Sequence, residues 1–195
     1  MKNEINSWNE LREGHSSALR DIYNQFYKPM MNYGLRLTPN NDLVQDCIHD
    51  LFADLWRLRS GLGETDSVRN YLIGSLRRRI LKSIQDKSNK HSELSEQYDR
   101  EDEDSNFEIS LIQDETNLEL SLKLQAAIGT LSKRQQEAIY LKYSEGLDYE
   151  QICETMGLQY QSVRNLISTG ILRIKENLLI LLFIVDNFLS TFLKY

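Results

Sequence analysis

The chain has 195 residues, a formal net charge of −6 and 41% apolar residues, a balance ordinary for a soluble globular protein. Nine Gly, two Pro and few alternating Val/Ile/Thr runs argue against a β architecture, and apolar residues recurring at three and four positions predict an all-α protein. Cys47 and Cys153 share no CxxC spacing, which excludes a zinc framework or a disulfide scaffold and leaves two small core residues in a reducing compartment.

The opening MKNEINSWNE has no basic head before an apolar core, so a cytoplasmic protein without a signal peptide is expected. Charge is unevenly spread, with nets of +3 over residues 1–90, −10 over 91–120 and +1 over 121–195. Two small helical domains flanking an acidic segment are therefore expected.

The first informative helix is NDLVQDCIHDLFADLW, Asn41 to Trp56, where Leu43, Val44, Cys47, Ile48, Leu51, Phe52 and Leu55 form one apolar stripe. Asp42, Asp46, Asp50 and Asp54 form a second row at four-residue spacing. Like charges so spaced weaken a helix by a few tenths of a kcal/mol per pair, roughly, which a basic partner would relieve. A solvated acidic face would look the same.

The next helix, SVRNYLIGSLRRRILKSIQDK from Ser67 to Lys87, is expected to bury Val68, Leu72, Ile73, Leu76, Ile80, Leu81 and Ile84. Arg69, Arg77, Arg78, Arg79 and Lys82 crowd the rest, with Asn70 and Tyr71 near the start. Cations beside an aromatic suit phosphate neutralisation and stacking on an unpaired base, though a basic solvated face would also carry them. Residues 91–117 come next, including SEQYDREDEDSNFE with seven acidic residues. So polar a stretch cannot bury enough surface to offset its ordering entropy, so a mobile linker is expected.

Beyond it, LSKRQQEAIYLKYSEG opens with Ser132 as the expected N-cap and carries Ile139, Leu141 and Tyr143 in a helix that supports a hairpin. That hairpin, LDYEQICETMGLQYQSVRNLI from Leu147 to Ile167, reads as helix-turn-helix: Ile152, Met156, Leu158, Val163 and Leu166 face inward, Cys153 is the small contact residue and Gly157 the turn. Its second helix would expose Tyr160, Gln161, Ser162, Arg164, Asn165 and Ser168 to base edges and phosphates. A plain helical hairpin is the competing reading. The tail NLLILLFIVDNFLSTFLKY is apolar all round from Leu178 to Val185, but Asp186 and Asn187 interrupt a run that must reach roughly 20 residues to span a membrane. A helix that folds back, or a surface for a partner, is expected in place of an integral membrane segment.

Taken in order, ALRDIYNQFYKPMMNYGLRLT, DLVQDCIHDLFADLW and SVRNYLIGSLRRRILKSI resemble region 2 of bacterial extracytoplasmic-function (ECF) sigma factors. LSKRQQEAIYLKYSEGLDYEQICETMGLQYQSVRNLI resembles their region 4, and YQSVRNLI looks particularly like Bacteroidetes-type members. The likeness runs from Ala18 to Leu178. It implies a region 2 helical bundle over 1–90, an acidic linker over 91–117, a region 4 helix-turn-helix domain over 118–178 and an apolar tail over 179–195. It also implies a subunit that brings core RNA polymerase to promoter DNA, without catalysis, cofactor, metal or small-molecule substrate of its own, and an anti-sigma factor as a further partner.

Carried over by position, Asp46, Asp50, Phe52, Leu55 and Trp56 fall where the family docks on core polymerase. Arg69, Asn70, Tyr71, Arg77, Arg78 and Arg79 fall where it binds and melts the minus-ten element, after a loop, SGLGETDS, that matches the one capturing a flipped base. Tyr160, Gln161, Ser162, Arg164, Asn165 and Ser168 fall on the helix reading the minus-thirty-five element, and Ile139 to Tyr143 on the helix facing the polymerase flap. The linker would pass through the polymerase cleft and RNA exit channel, its charge attracted to surfaces that hold nucleic acid. The pattern departs from the family at Ser168, Thr169 and Gly170, where a phosphate-binding charge is lost and a Gly that weakens a helix by roughly 1 kcal/mol is gained.

Two other classes remain open on the sequence. A stand-alone helix-turn-helix repressor sits poorly with an acidic chain. An enzyme would need a constellation that His15, His49 and His91 do not form, and neither a phosphate loop nor a nucleophile elbow is present.

Overall fold

The computed structural model describes residues 4–92 and 124–192, with side chains described over 4–87 and 124–178. The chain divides into two compact units, Met1–Ser105 and Asn106–Tyr195. No strand occurs among the described residues, so the all-α expectation holds. Of the segment 91–117 expected to be a mobile linker, residues 91 and 92 are helical and the rest lies outside the described residues.

Unit 1 contains α1 (Glu4–Arg12), α2 (Ser16–Leu37), α3 (Asn41–Arg57), a 3-10 turn (Arg59–Gly61) and α4 (Val68–Ser92). The long α2 packs against each of the other three helices. Its buried positions Ala18, Ile22, Phe26, Met30 and Tyr33 recur every three or four residues, so one stripe serves the whole unit. Burying side chains of this size contributes roughly 1.5–3 kcal/mol each. Asn40 starts α3 by accepting a hydrogen bond from the Leu43 N–H at 2.9 Å, and Ser67 Oγ accepts from the Asn70 N–H at 3.2 Å to start α4.

Gly34 lies where α2, α3 and α4 converge. A Cβ there would overlap Val44 Cγ1 and stand 3.2 Å from Ile80 Cδ1. Gly34→Ala is therefore expected to destabilise the protein by about 1–3 kcal/mol, read as a lowered urea midpoint with unchanged slope.

The stripe on α4 differs from expectation at its far end. Val68, Leu72, Ile73, Leu76 and Ile80 are buried, but Leu81 and Ile84 are 39% and 37% exposed. Leu81 is turned about 100° from Ile80. One turn past Ile80 the residue facing α3 is Ser83, whose Oγ lies 3.8 Å from Cys47 Sγ. Cys47 is buried, and that burial pushes its thiol pKa up.

Unit 2 contains α5 (described over 124–129), α6 (Lys133–Tyr143), α7 (Tyr149–Met156) and α8 (Tyr160–Phe192). Ser132 caps α6 as expected, forming a capping box with Gln135, and Asp148 forms a second with Gln151 at the start of α7. Gly157 ends α7 at φ 65°, the left-handed conformation the turn was expected to need. Ala138, Leu141, Leu147, Ile152, Met156, Val163 and Ile167 form the core.

Four positions shift from the expected pattern. Leu158, Leu166 and Cys153 are half-buried, and full burial passes to Ile167 and Thr155. Tyr143, expected to support the hairpin, is 64% exposed.

α8 is one helix of 33 residues, about 50 Å long at 1.5 Å per residue, so the tail does not fold back. Gly170, expected as a weak point, is buried against α6. A Cβ at 170 would stand 2.7 Å from Ile139 Cδ1 and 3.5 Å from Gln135 Cβ. Gln135 Nε2 also donates to Thr169 Oγ1 at 3.0 Å. The small residue thus admits a neighbouring helix. Among the described residues no helix is long and apolar enough to cross a membrane.

Candidate nucleic-acid and partner interfaces

In unit 2 the six residues singled out on α8 are all exposed. Gln161, Ser162, Arg164, Asn165 and Ser168 follow helical spacing over two turns, so a single face presents amide, hydroxyl and guanidinium groups. Gln161 Nε2 donates to Asn165 Oδ1 at 3.0 Å, which orders both amides before any ligand arrives. Tyr160 packs its ring 5.5 Å from that of Tyr149, and Lys142 Nζ lies 4.8 Å over the Tyr149 ring. Lys142 also donates to the Leu147 carbonyl at 3.3 Å. These contacts tie the start of α8 to the turn between α6 and α7. Neither Lys142 nor Tyr149 was singled out from sequence, because their partners lie on other elements.

In unit 1 the six candidates on α4 divide. Tyr71, Arg78 and Arg79 line an open depression of about 400 Å³ together with Ser75 and Lys82 of α4, Leu51, Asp54 and Leu55 of α3, and Leu58 and Leu62 of the adjoining turn. Its lining combines four leucines with the cations Arg78, Arg79 and Lys82 and the Asp54 carboxylate. Arg69, Asn70 and Arg77 lie around the other side of the helix, with the Arg69 guanidinium 5.8 Å from the Phe26 ring centre. Tyr71 is 37% exposed and packs 4.9 Å from the Trp8 ring. Arg78 donates to Ser75 Oγ at 3.0 Å.

Arg79 is already engaged. It donates to Asp54 Oδ2, and Arg57 donates to Asp54 Oδ1 at 2.5 Å. The hydrogen bond from Arg79, then that from Arg57, hold the Asp54 carboxyl below its usual range. A depressed folded pKa means that the pair's contribution is complete above the unfolded carboxylate pKa and is lost as pH falls through the folded one. The fourth member of the Asp row thus has internal partners, while Asp42, Asp46 and Asp50 stand exposed on α3.

Of the other α3 candidates, Phe52 and Leu55 are buried in the unit, Phe52 with its ring 4.9 Å from Tyr23. Trp56 is half-buried, and the Arg59 guanidinium lies 4.3 Å over its ring while donating to its carbonyl at 2.7 Å. Beside this face, Tyr23, Tyr27 and His49 form an aromatic group, with Tyr23 Oη 3.4 Å from His49 Nε2. No group of three or more His, Cys, Asp or Glu gathers at metal-binding distances among the described residues.

The structure is thus an all-α chain with a helix-turn-helix whose second helix exposes a polar face, and with a depression on the other unit lined by leucines, cations and Tyr71. The comparisons with known proteins bear on both units. Residues 121–174 match the family described as Sigma-70, region 4. The chain is 22% identical over 172 residues to the RNA polymerase sigma factor YlaC of Bacillus subtilis (strain 168), covering 84% of this chain and 94% of that protein. Its fold is similar to that of the sigma factor RpoE, solved in complex with the anti-sigma factor NepR from Bartonella quintana. That match has a TM-score of 0.56 and 16% identity, and covers 82% of this chain and 97% of that one. It is also similar to CnrH, solved in complex with the cytosolic domain of CnrY, with a TM-score of 0.57 and 14% identity over 90% of this chain and 96% of that one.

Proposed function

We propose that the protein is an ECF sigma factor that binds core RNA polymerase and directs initiation at promoters with minus-ten and minus-thirty-five elements. The observation that carries this reading is the exposed Gln161, Ser162, Arg164, Asn165 and Ser168 face on the second helix of a domain matching sigma-70 region 4. Amides and a guanidinium in that arrangement suit adenine and guanine edges in a major groove, with hydroxyls for phosphates. The depression beside Tyr71, Arg78 and Lys82 supports the minus-ten role, since leucines and an aromatic ring beside cations suit an unpaired base and its phosphates.

Exposed Asp46 and Asp50 on α3 suit a basic surface of the polymerase, with Phe52, Leu55 and Trp56 holding that helix in place. Exposed Tyr143 at the end of α6 suits the flap. The acidic segment suits the polymerase's nucleic-acid channels by charge, and the YQSVRNLI segment supports the Bacteroidetes-type assignment. An anti-sigma factor as regulator is supported by the complex in which RpoE was solved. The work would be done in the cytoplasm, and the chemistry of RNA synthesis would be the polymerase's.

The test is run-off transcription by purified core polymerase on a genomic fragment library, with and without the protein, at stated salt. New starts sharing two spaced upstream elements are the expected result. No new starts, with tight library binding in the absence of polymerase, would replace this reading with that of a stand-alone repressor.

A further inference from the structure

The loop between the 3-10 turn and α4 is held by α1, a helix upstream of every residue that carried the family resemblance. Trp8 Nε1 donates to the Gly63 carbonyl at 3.0 Å. Arg12 Nε donates to the neighbouring Leu62 carbonyl at 2.9 Å, and Arg12 Nη1 lies 3.9 Å from Glu64 Oε1. The same Trp8 ring packs against Tyr71, which lines the depression on α4. Nothing stands within 4 Å of a Cβ placed at Gly61 or Gly63. At those positions the loop is uncrowded, and its conformation depends on the side chains that reach it.

A short glycine-bearing loop left to itself samples many conformations. Two adjacent carbonyls tied to one helix, one of them by a charged donor, select among those conformations. Flipping a base out of a duplex is worthwhile only if the receiving walls are already in place. Leu62 is one of those walls, and Tyr71 is another.

The geometry points to α1 as the frame of the minus-ten pocket, with Trp8 and Arg12 as positioning residues that fix the loop and Tyr71 around an extruded promoter base. This rests on the sigma-factor reading above. Neither residue touches DNA in this scheme. Both act through the Leu62 and Gly63 carbonyls and, for Trp8, through the Tyr71 ring.

The experiment uses holoenzyme assembled from core polymerase and the full chain. The probes are single-stranded oligonucleotides carrying the minus-ten sequence recovered from the run-off library, each with one position made abasic. Wild-type holoenzyme is expected to lose most affinity at one position, that of the captured base. In Trp8→Phe and Arg12→Gln that positional penalty should shrink about tenfold, the worth of a charged or buried hydrogen bond, while the other positions keep theirs. Core affinity should stay unchanged.

Arg12 is about a third exposed, at 31%, so Arg12→Gln retains a folded unit even if Trp8→Phe does not. Uniform weakening at every position would show a general structural role and overturn the inference, as would an unchanged penalty. A wild-type holoenzyme with no positional preference would instead overturn the sigma-factor reading, and the inference with it.

Discussion

Replacing both Asp46 and Asp50 with Lys is expected to abolish assembly with core RNA polymerase, lowering affinity on the order of 100-fold or more while the protein stays folded. Both carboxylates stand exposed on α3, and their side chains belong to no core. Placing like charge against a basic docking surface costs several kcal/mol, roughly, whereas exposed substitutions change stability by about 0.5 kcal/mol or less. The helix itself should not suffer. Flanked by Asp42 and Asp54 at four-residue spacing, the two lysines would turn two of the row's three like-charge pairs into opposite-charge ones. Anisotropy titration of labelled protein with core polymerase measures the loss, and a circular-dichroism melt checks the fold. Undiminished binding would remove α3 as the docking helix.

Arg164→Glu is expected to do the reverse, cutting promoter-dependent initiation on the order of 100-fold at unchanged core affinity. Arg164 is exposed on the polar face of α8, nearly two turns before Gly170 meets α6. A carboxylate there faces phosphates and base acceptors with the wrong sign, which costs several kcal/mol, roughly. The measurement pairs initiation rates with the same anisotropy titration. Equal loss in both would sink the division of labour between the units.

What the sequence disclosed was local. Ser132 before an apolar repeat and Gly157 between two short repeats each fix a backbone event within a few residues, and each appears where the pattern placed it. The exposed set on α8 follows from period alone once Val163 faces inward.

What stayed hidden depends on partners far along the chain. Trp8 and Arg12 act on residues 55 and 50 positions away, and nothing near them in sequence signals it. Asp54 looked like one more member of an acidic row until α4 brought Arg79 against it. Gly170 was misread because propensity counts only the helix's own loss, whereas the close approach of Ile139 is a gain made by another helix. Leu81 and Ile84 were assigned to the core by hydrophobicity, though the facing surface there takes Ser83.

The pairing of Arg79 and Arg57 with Asp54 bears on how binding to DNA should respond to salt. A guanidinium that meets a DNA phosphate displaces a condensed cation from the duplex, and the steepness of the salt dependence counts such events. In the proposed complex Arg79 can reach a phosphate only by leaving the Asp54 carboxylate, which also holds Arg57, and while the Arg79 pair stays closed it displaces no cation. Plots of log affinity against log salt for holoenzyme on its promoter are therefore expected to steepen by up to about one unit when Asp54 is replaced by Asn and Arg79 is set free. The arginines of α4 are thus not equivalent charges, because the one at position 79 is held in reserve by the helix beside it.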